Sequence, residues 1–432
     1  MSIAQLIKGQ KLISSELGIV SHTIKLPRMS HDPSMINFGI WPCNSKYLHG
    51  EKFEGRSGGC NEDWEQAIMA TVGETIERYT PIFFPENEGI VSSYKNLDKP
   101  AVHPQEYAFF HDEQYKFYKE RNFNITKFDE NTEVTWCPTI DLVDQKEVYC
   151  PAQCIYMPFT RDKHFITAGN STGLAAHTNY YKAVLNALYE CVERDSFVIT
   201  WTNNIVPPKV KISKEIKDYL NERFPASFKW HFFDVTYDLE LPSIFAICEG
   251  VSDYGNFITV GSATRGTLAE AMKRVIREIG QTAPYFRWLI GERNGQVPDE
   301  DYHKIINFVD HSIYYHMRPE KKVVFNKWLE KEPDKDVDMY EVDNRTETEK
   351  IKDALRVFKR HNYNVLLKDL TTVDARQLGF YSVKVYIPQL IQMAGGYSVY
   401  FWGGKRLYEV PEKMGYGKAD YSTINKMPHP FP

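Results

Sequence analysis

The sequence predicts an α+β (mixed α/β) fold in which long helices pack on mixed sheets and line one ligand site. Three observations predict it. A Glu-x-x-Glu-Arg pattern occurs twice, as Glu74, Glu77, Arg78 and as Glu190, Glu193, Arg194. Each copy carries an apolar stripe every four residues, Ile68, Val72, Ile76 and then Val184, Leu188, Val192, which is the period of an amphipathic helix. Runs rich in β-branched and aromatic residues lie between these helices rather than in a block of their own, the order of a helix-covered sheet.

Taken in order, residues 1–50 mix a short amphipathic stretch with Pro- and Ser-containing loop, and no chemistry is legible there. The main domain is expected over 51–432. Its first helix carries the first motif and is stopped by Pro81 and Pro85, since proline lacks the N–H a helix interior needs. After an aromatic loop region, 133–138 and 146–151 read as a hairpin across Val143-Asp144-Gln145. The second motif helix is expected over about 179–198. Three strands follow within 229–262, and a third motif helix over 269–281 has Glu270, Arg274, Glu278 and Gln281 as its polar face and Ala271, Val275 and Ile279 as its stripe. Residues 300–350 are highly charged and read as a solvated helical insertion or a partner-facing surface. A helix at 350–363 and strands ending at Asp369 and over 380–388 complete the pattern. The last six residues, 427–432, alternate proline with Met, His and Phe. That is either a frayed end or a stiff extended rod presenting a free carboxylate, and composition does not choose.

At 432 residues the chain is long enough for two or three subdomains. A net charge of −5 gives no electrostatic case for nucleic acid. No apolar run approaches a membrane span and no signal-peptide pattern opens the chain, so a cytoplasmic protein is expected. Seven cysteines, an odd number, argue against a disulfide framework. Cys150, Cys154 and Cys137 could hold zinc, but a second ligand pair at the usual spacing is missing, and strand-packed thiols are the plainer account.

Glu and Arg at helical spacing are ordinarily a solvated face. Here each acidic helix follows a small-residue turn: Ser57-Gly58-Gly59, then 169–177, then 261–266. Such turns offer backbone N–H groups and a positive helix end to an anion. Carboxylates on the same helices need a cation. Phosphates with a divalent metal satisfy both, because Mg²⁺ takes hard oxygen ligands and bridges phosphate oxygens.

Beyond these patterns the chain resembles the YcaO family, and within it the azoline-forming cyclodehydratase subunit of thiazole/oxazole-modified peptide pathways. The resemblance rests on GETIERY, STGLAA, LYECVERD, DLTTVD at 369–374, VKVYIP, GGKRLYEVP at 403–411 and PHPFP, in that order over roughly 50–432. It implies an ATP- and Mg²⁺-dependent enzyme in the biosynthesis of modified ribosomal peptides of the microcin or bacteriocin kind. In it a Cys, Ser or Thr of the precursor attacks the preceding amide carbonyl, the oxyanion is phosphorylated, and loss of phosphate leaves a thiazoline or oxazoline. The resemblance makes Glu74, Glu77, Glu190 and Glu193 the Mg²⁺ ligands, and Arg78 and Arg194 phosphate contacts through their forked donors. It places Ser171, Thr172, Gly173, Thr178, Glu278 and Gln281 against the nucleotide, and the Pro432 carboxylate at the reaction centre. Arg406 is a lesser candidate. The chain departs from the family pattern at Ala70, at Gly59-Cys60-Asn61, at Thr178 and at Lys182, which removes hydroxyl, lysine, amide and acidic contacts expected there. Cys60 and Cys191 sit by the motifs, but the nucleophile in this chemistry belongs to the substrate. His177 is a candidate base that is more simply a hydrogen-bonded structural residue. The partners implied are the precursor peptide, a leader-binding protein related to ubiquitin-activating enzymes, a flavin-dependent azoline oxidase, and a second copy in a homodimer. Thioamide or amidine formation by the same ATP chemistry, and an ATP-binding scaffold, are the alternatives.

Overall fold

A computed structural model describes residues 10–15, 18–45 and 57–432. Most of the amphipathic stretch expected at the start, and the expected boundary at 51, lie outside the described residues. Within 18–45 the chain is not the loop that its Pro and Ser content suggested. It forms β1 (Val20–Lys25) and β2 (Ile36–Pro42), which join β3 (Ser57–Asn61) in an antiparallel three-stranded sheet.

The largest sheet has six strands: β4 (Ile90–Ser92), β5 (Val134–Asp141), β6 (Lys146–Pro151), β7 (Leu174–His177), β11 (Leu366–Asp369) and β12 (Tyr381–Tyr386). Its order is β4-β5-β11-β12-β7, with β6 also paired to β5. A third sheet holds β8 (Lys229–Asp234), β9 (Ser243–Ser252) and β10 (Gly255–Thr264). Every ladder between these strands is antiparallel, so the class is α+β with antiparallel sheets where mixed ones were expected. The reason is local in part: β5–β6 and β9–β10 are joined by turns too short for a parallel crossover.

The motif helices are α1 (Trp64–Tyr79), α2 (Tyr180–Thr202) and α3 (Leu268–Glu292), longer at the C-terminal end than the periodicity suggested for α2 and α3. Each begins at a side-chain cap. Asp63 accepts from the Gln66 N–H, Asn179 from the Lys182 N–H and Thr267 from the Glu270 N–H, at 2.9, 3.1 and 3.1 Å. Of the Gly/Ser/Thr runs before them, the first lies in strand β3 and most of the third in β10 rather than in turns, whereas Ser171-Thr172-Gly173 forms the expected turn just before β7. α1 packs between the β1–β3 sheet and edge strand β7. α2 lies between β7/β12 and β9/β10, and α3 between β9/β10 and β3. Three sheets and three helices thus alternate around a common centre. Covered on both sides, α2 buries Val184, Leu188 and Val192 and also Tyr189, Phe197 and Trp201 on its other face. Gly59 is required where β3 crosses α1, because a Cβ there would run into Thr71 and the Ala67 carbonyl.

The segment 300–350 is not a solvated insertion. It contains α4 (Phe308–Met317), and His311, Ile313, Tyr314, Tyr315, Phe325 and Trp328 are all at most 1% exposed. Its lysines and glutamates cover an apolar side that the charge count hid. The helix expected at 350–363 is Glu347–Arg360. Cys137 and Cys150 face each other across β5 and β6, and both are buried free thiols. Among the described residues no helix is long and apolar enough to cross a membrane.

Candidate active site

The three motif helices converge on one cavity of about 740 Å³. α1 contributes Glu74, Glu77 and Arg78, α2 contributes Glu190, Glu193 and Arg194, and α3 contributes Arg274, Arg277, Glu278 and Gln281. Arg265, just after β10, joins them. Spacing of three and four along each helix puts these groups on one face. Sheet packing on the other faces turns that one inward.

Each carboxylate already has a partner. Arg78 lies 3.7 Å from Glu77, Arg194 lies 3.4 Å from Glu190 and 3.7 Å from Glu193, and Arg274 lies 2.8 Å from Glu278. Backbone donors supply the rest: the Gly58 N–H reaches Glu74 at 3.3 Å and the Gly173 N–H reaches Glu190 at 3.1 Å. The Gly58 and Gly173 N–H groups therefore serve the chain's own glutamates rather than a bound anion. The helix N-termini, at Trp64 and Tyr180, lie about three to three and a half turns from these glutamates, so the expected use of a positive helix end is not what the fold provides.

The electrostatics are those of crowded like charges. Burial pushes the Glu77 carboxyl up to about 8, Arg78 opposing and Glu190 reinforcing the shift. Burial does the same to Glu193, whose side chain is 6% exposed, also to about 8, with Glu278 adding to the rise. Glu74 is raised by burial against Arg78 and the Gly58 N–H. Burial and the neighbouring Arg274 lower Arg265. Among the described residues no three His, Cys, Asp or Glu side chains converge as a self-contained metal site. This donor set fits Mg²⁺ nonetheless, because that ion is held by one or two carboxylates and completes its octahedron with phosphate oxygens and water.

Other candidates are placed as follows. Thr178, His177 and Pro432 line the cavity. Ser171 and Thr172 are not among its lining residues. The buried Lys384 ammonium takes the carbonyls of Asn170 and Thr172 at 2.9 and 2.7 Å and ties that turn to β12. Gly173 acts through its N–H, at φ +80°, where a Cβ would meet the Val385 carbonyl. Arg406 is far from a phosphate role. It is 2% exposed and forks onto Asp195 and Asp238 in a buried ion cluster. His177 Nδ1 accepts the Asn179 N–H at 2.9 Å, and burial lowers its pKa. Burial pushes the Cys60 thiol up to about 12, against a nucleophilic role. The 427–432 segment is packed rather than frayed, with His429 and Phe431 each 4% exposed. Sequence reasoning missed Arg265, Arg277 and the apolar wall of Phe38 and Trp41. Arg277 shares a helical face with Arg274 and Gln281 and could have been found. The wall lies on strands that gave no signal.

Fold and site define an α+β protein whose three motif helices focus acidic and basic side chains on one cleft. Residues 58–391 match the family described as "YcaO cyclodehydratase, ATP-ad Mg2+-binding". The chain belongs to the YcaO family, which binds ATP and Mg²⁺. A comparison with curated proteins by sequence finds no match. Among solved structures, a heterocyclase in complex with substrate and cofactor superposes with a TM-score of 0.76 at 21% identity, covering 99% of this chain and 57% of that one. YcaO from Methanopyrus kandleri, bound with AMPPCP and Mg²⁺, gives 0.61 at 17%, covering 92% of each chain. A chain of the E. coli microcin synthetase McbBCD complex with pro-MccB17 bound gives 0.60 at 14%, covering 95% and 96%. At these identities the likeness establishes the fold. The chain spans little more than half the length of the first of these structures.

Proposed function

We propose that this chain carries out ATP-dependent cyclodehydration of Cys, Ser or Thr in a ribosomally made precursor peptide, forming thiazoline or oxazoline. The observation that carries it is the cavity in which five glutamates and four arginines from three helices, with Arg265 as a fifth arginine just after β10, meet Pro432. ATP with Mg²⁺ supplies the phosphoryl group that converts an amide oxygen into a leaving group. Glu74, Glu77, Glu190 and Glu193 would hold the metal, each already oriented by an arginine or a backbone N–H. Arg78 and Arg194, no longer balanced by carboxylates that face a cation, are free to take phosphate oxygens. Gln281, Glu278 and Thr178 line the same space and would contact the nucleotide. Preorganised charge of this kind is how phosphoryl transfer is accelerated. The reading includes a leader-binding partner related to ubiquitin-activating enzymes, a flavin-dependent oxidase acting afterwards, a homodimer and a cytoplasmic setting. The heterocyclase bound to substrate supports a bound substrate, and the multi-chain microcin synthetase supports a protein partner.

The test is a mass spectrum of a Cys-rich candidate precursor after incubation with this protein, its partner and Mg-ATP. Loss of one water per modified residue, matched by ADP and phosphate release, is the expected result. Exchange of oxygen for sulfur would establish thioamide formation instead, and a chain that binds ATP but turns none over with any peptide would be a scaffold.

A further inference from the structure

We propose that His311, Tyr315 and Tyr400 form a dock that positions the 425–432 segment, and through its Phe431 sets the guanidinium of Arg194. The proposal rests on the reading of the cavity as the active site only for its kinetic consequence.

The segment has no regular secondary structure, yet every N–H of its last six residues and four successive carbonyls find hydrogen-bond partners. Prolines at 428, 430 and 432 leave N–H groups only on Met427, His429 and Phe431 within the last six residues. These go to Asn425 Oδ1 at 3.0 Å, the Tyr400 hydroxyl at 3.0 Å and His429 Nδ1 at 3.3 Å. Four successive carbonyls each accept from a different side chain. The Tyr397 hydroxyl donates to Lys426 O at 2.7 Å and the Trp201 indole to Met427 O at 3.2 Å. The Tyr315 hydroxyl donates to Pro428 O at 2.6 Å, and His311 Nδ1 to His429 O at 3.0 Å. Trp201 comes from α2, His311 and Tyr315 from α4, and Tyr397 and Tyr400 from the chain after β12. Merely filling a hydrophobic slot would not need one donor per carbonyl from three separate segments.

The rings add a second constraint. The His429 ring stacks on His311 at 3.9 Å and on Tyr400 at 5.2 Å between centroids. Its Nε2 faces the Ala394 carbonyl at 3.0 Å. A carbonyl only accepts, so Nε2 carries the proton and Nδ1 is left to accept from Phe431. Burial, which lowers His429 to about 4, keeps the ring in that neutral form. With its N–H so fixed, Phe431 packs on Phe197 at 4.9 Å and lies under Arg194, whose Cζ is 4.3 Å from the ring centroid. A guanidinium over an aromatic face is held in plane by cation–π attraction. Arg194 is therefore clamped by carboxylates on one side and by Phe431 on the other. His311, Tyr315 and Tyr400 never touch the cavity charges, and act through the segment as positioning residues.

The test uses Tyr315→Phe with Tyr400→Phe, which removes two hydroxyls and no ring. In the full chain, hydrogen exchange at Met427, His429 and Phe431 is expected to quicken at least tenfold while α1 and α3 keep their protection, and the Arg194 Nε–H resonance is expected to move. Peptide-dependent turnover should fall about tenfold in kcat with KM for ATP changed less than twofold. The same two substitutions should cost nothing further in a Phe431→Ala background. Unchanged exchange, an unmoved Arg194 resonance, or a full additional loss in the Phe431→Ala chain would each overturn the dock. If exchange and resonance respond but even the wild-type chain modifies no peptide, the dock stands and the cyclodehydratase reading falls.

Discussion

Replacing Arg406 by Met decides between a structural and a phosphate-binding role for the buried basic residue of the GGKRL segment. The guanidinium makes five charge-assisted contacts. Nε lies 3.1 and 3.0 Å from the two oxygens of Asp195, and Nη2 lies 2.7 Å from Asp195. Nη1 and Nη2 reach Asp238 at 3.0 and 2.9 Å. Asp238 keeps Lys413 at 3.5 Å when Arg406 is gone, but Asp195 has no exposed side-chain surface and retains only the Ile391 N–H at 2.8 Å. The cost is that of leaving one buried charge without its partner, about 3–5 kcal/mol. It should appear as a lower urea midpoint with an unchanged slope. Adding Asp195→Asn should restore part of the loss, because the orphaned charge disappears with it. A loss below about 1 kcal/mol, or a selective rise in KM for nucleotide at unchanged stability, would refute the assignment and return Arg406 to the phosphate contacts.

Three more outcomes follow from the site. Glu77→Ala or Glu193→Ala should reduce ATP turnover by at least a hundredfold, with a native circular dichroism spectrum; normal turnover in both would remove the metal assignment. Gly173→Ala should cost about 1–3 kcal/mol for its positive φ, and it should weaken Mg²⁺ affinity by displacing the Gly173 N–H that donates to the Glu190 carboxylate, read by Mn²⁺ competition. Apo-protein stability should fall as pH rises from 6.5 to 8. Glu77 and Glu193 hold their protons up to about 8 when folded and to about 4.5 when unfolded, so the folded chain binds more protons in that window. Below 6.5 the buried His311 and His429, both lowered, pull the other way. A urea midpoint that is flat or rising between pH 6.5 and 8 would contradict the shifts.

Much of this was readable from side-chain periodicity. The stripes Ile68, Val72, Ile76 and Val184, Leu188, Val192 located α1 and α2, and the 133–151 hairpin and the three strands of 229–262 fell where alternation put them, because each of these signals is local. What was hidden depended on packing between distant segments. β1 and β2 bury only part of one face, so their sequence reads as loop. The lysines of 319–335 masked Phe325 and Trp328, which reach the core from a chain that is otherwise polar. At the site, helical spacing brought out the two acidic pairs with their arginines. It could not show that Arg406 turns away to Asp195, nor that Gly58 and Gly173 spend their N–H groups on glutamates, since both depend on tertiary neighbours.

The alternation of three sheets with three helices has a mechanical result. No sheet by itself owns the cleft: each acidic segment is a wedge between two layers, so a polyanion that engages all three also fastens the layers to one another. Occupancy should accordingly act as a staple on the whole molecule. A ligand at a hundred times its dissociation constant contributes about 2.7 kcal/mol, distributed over every layer boundary at once. Severing the chain between layers would leave pieces that each carry a single acidic helix and none of the cavity.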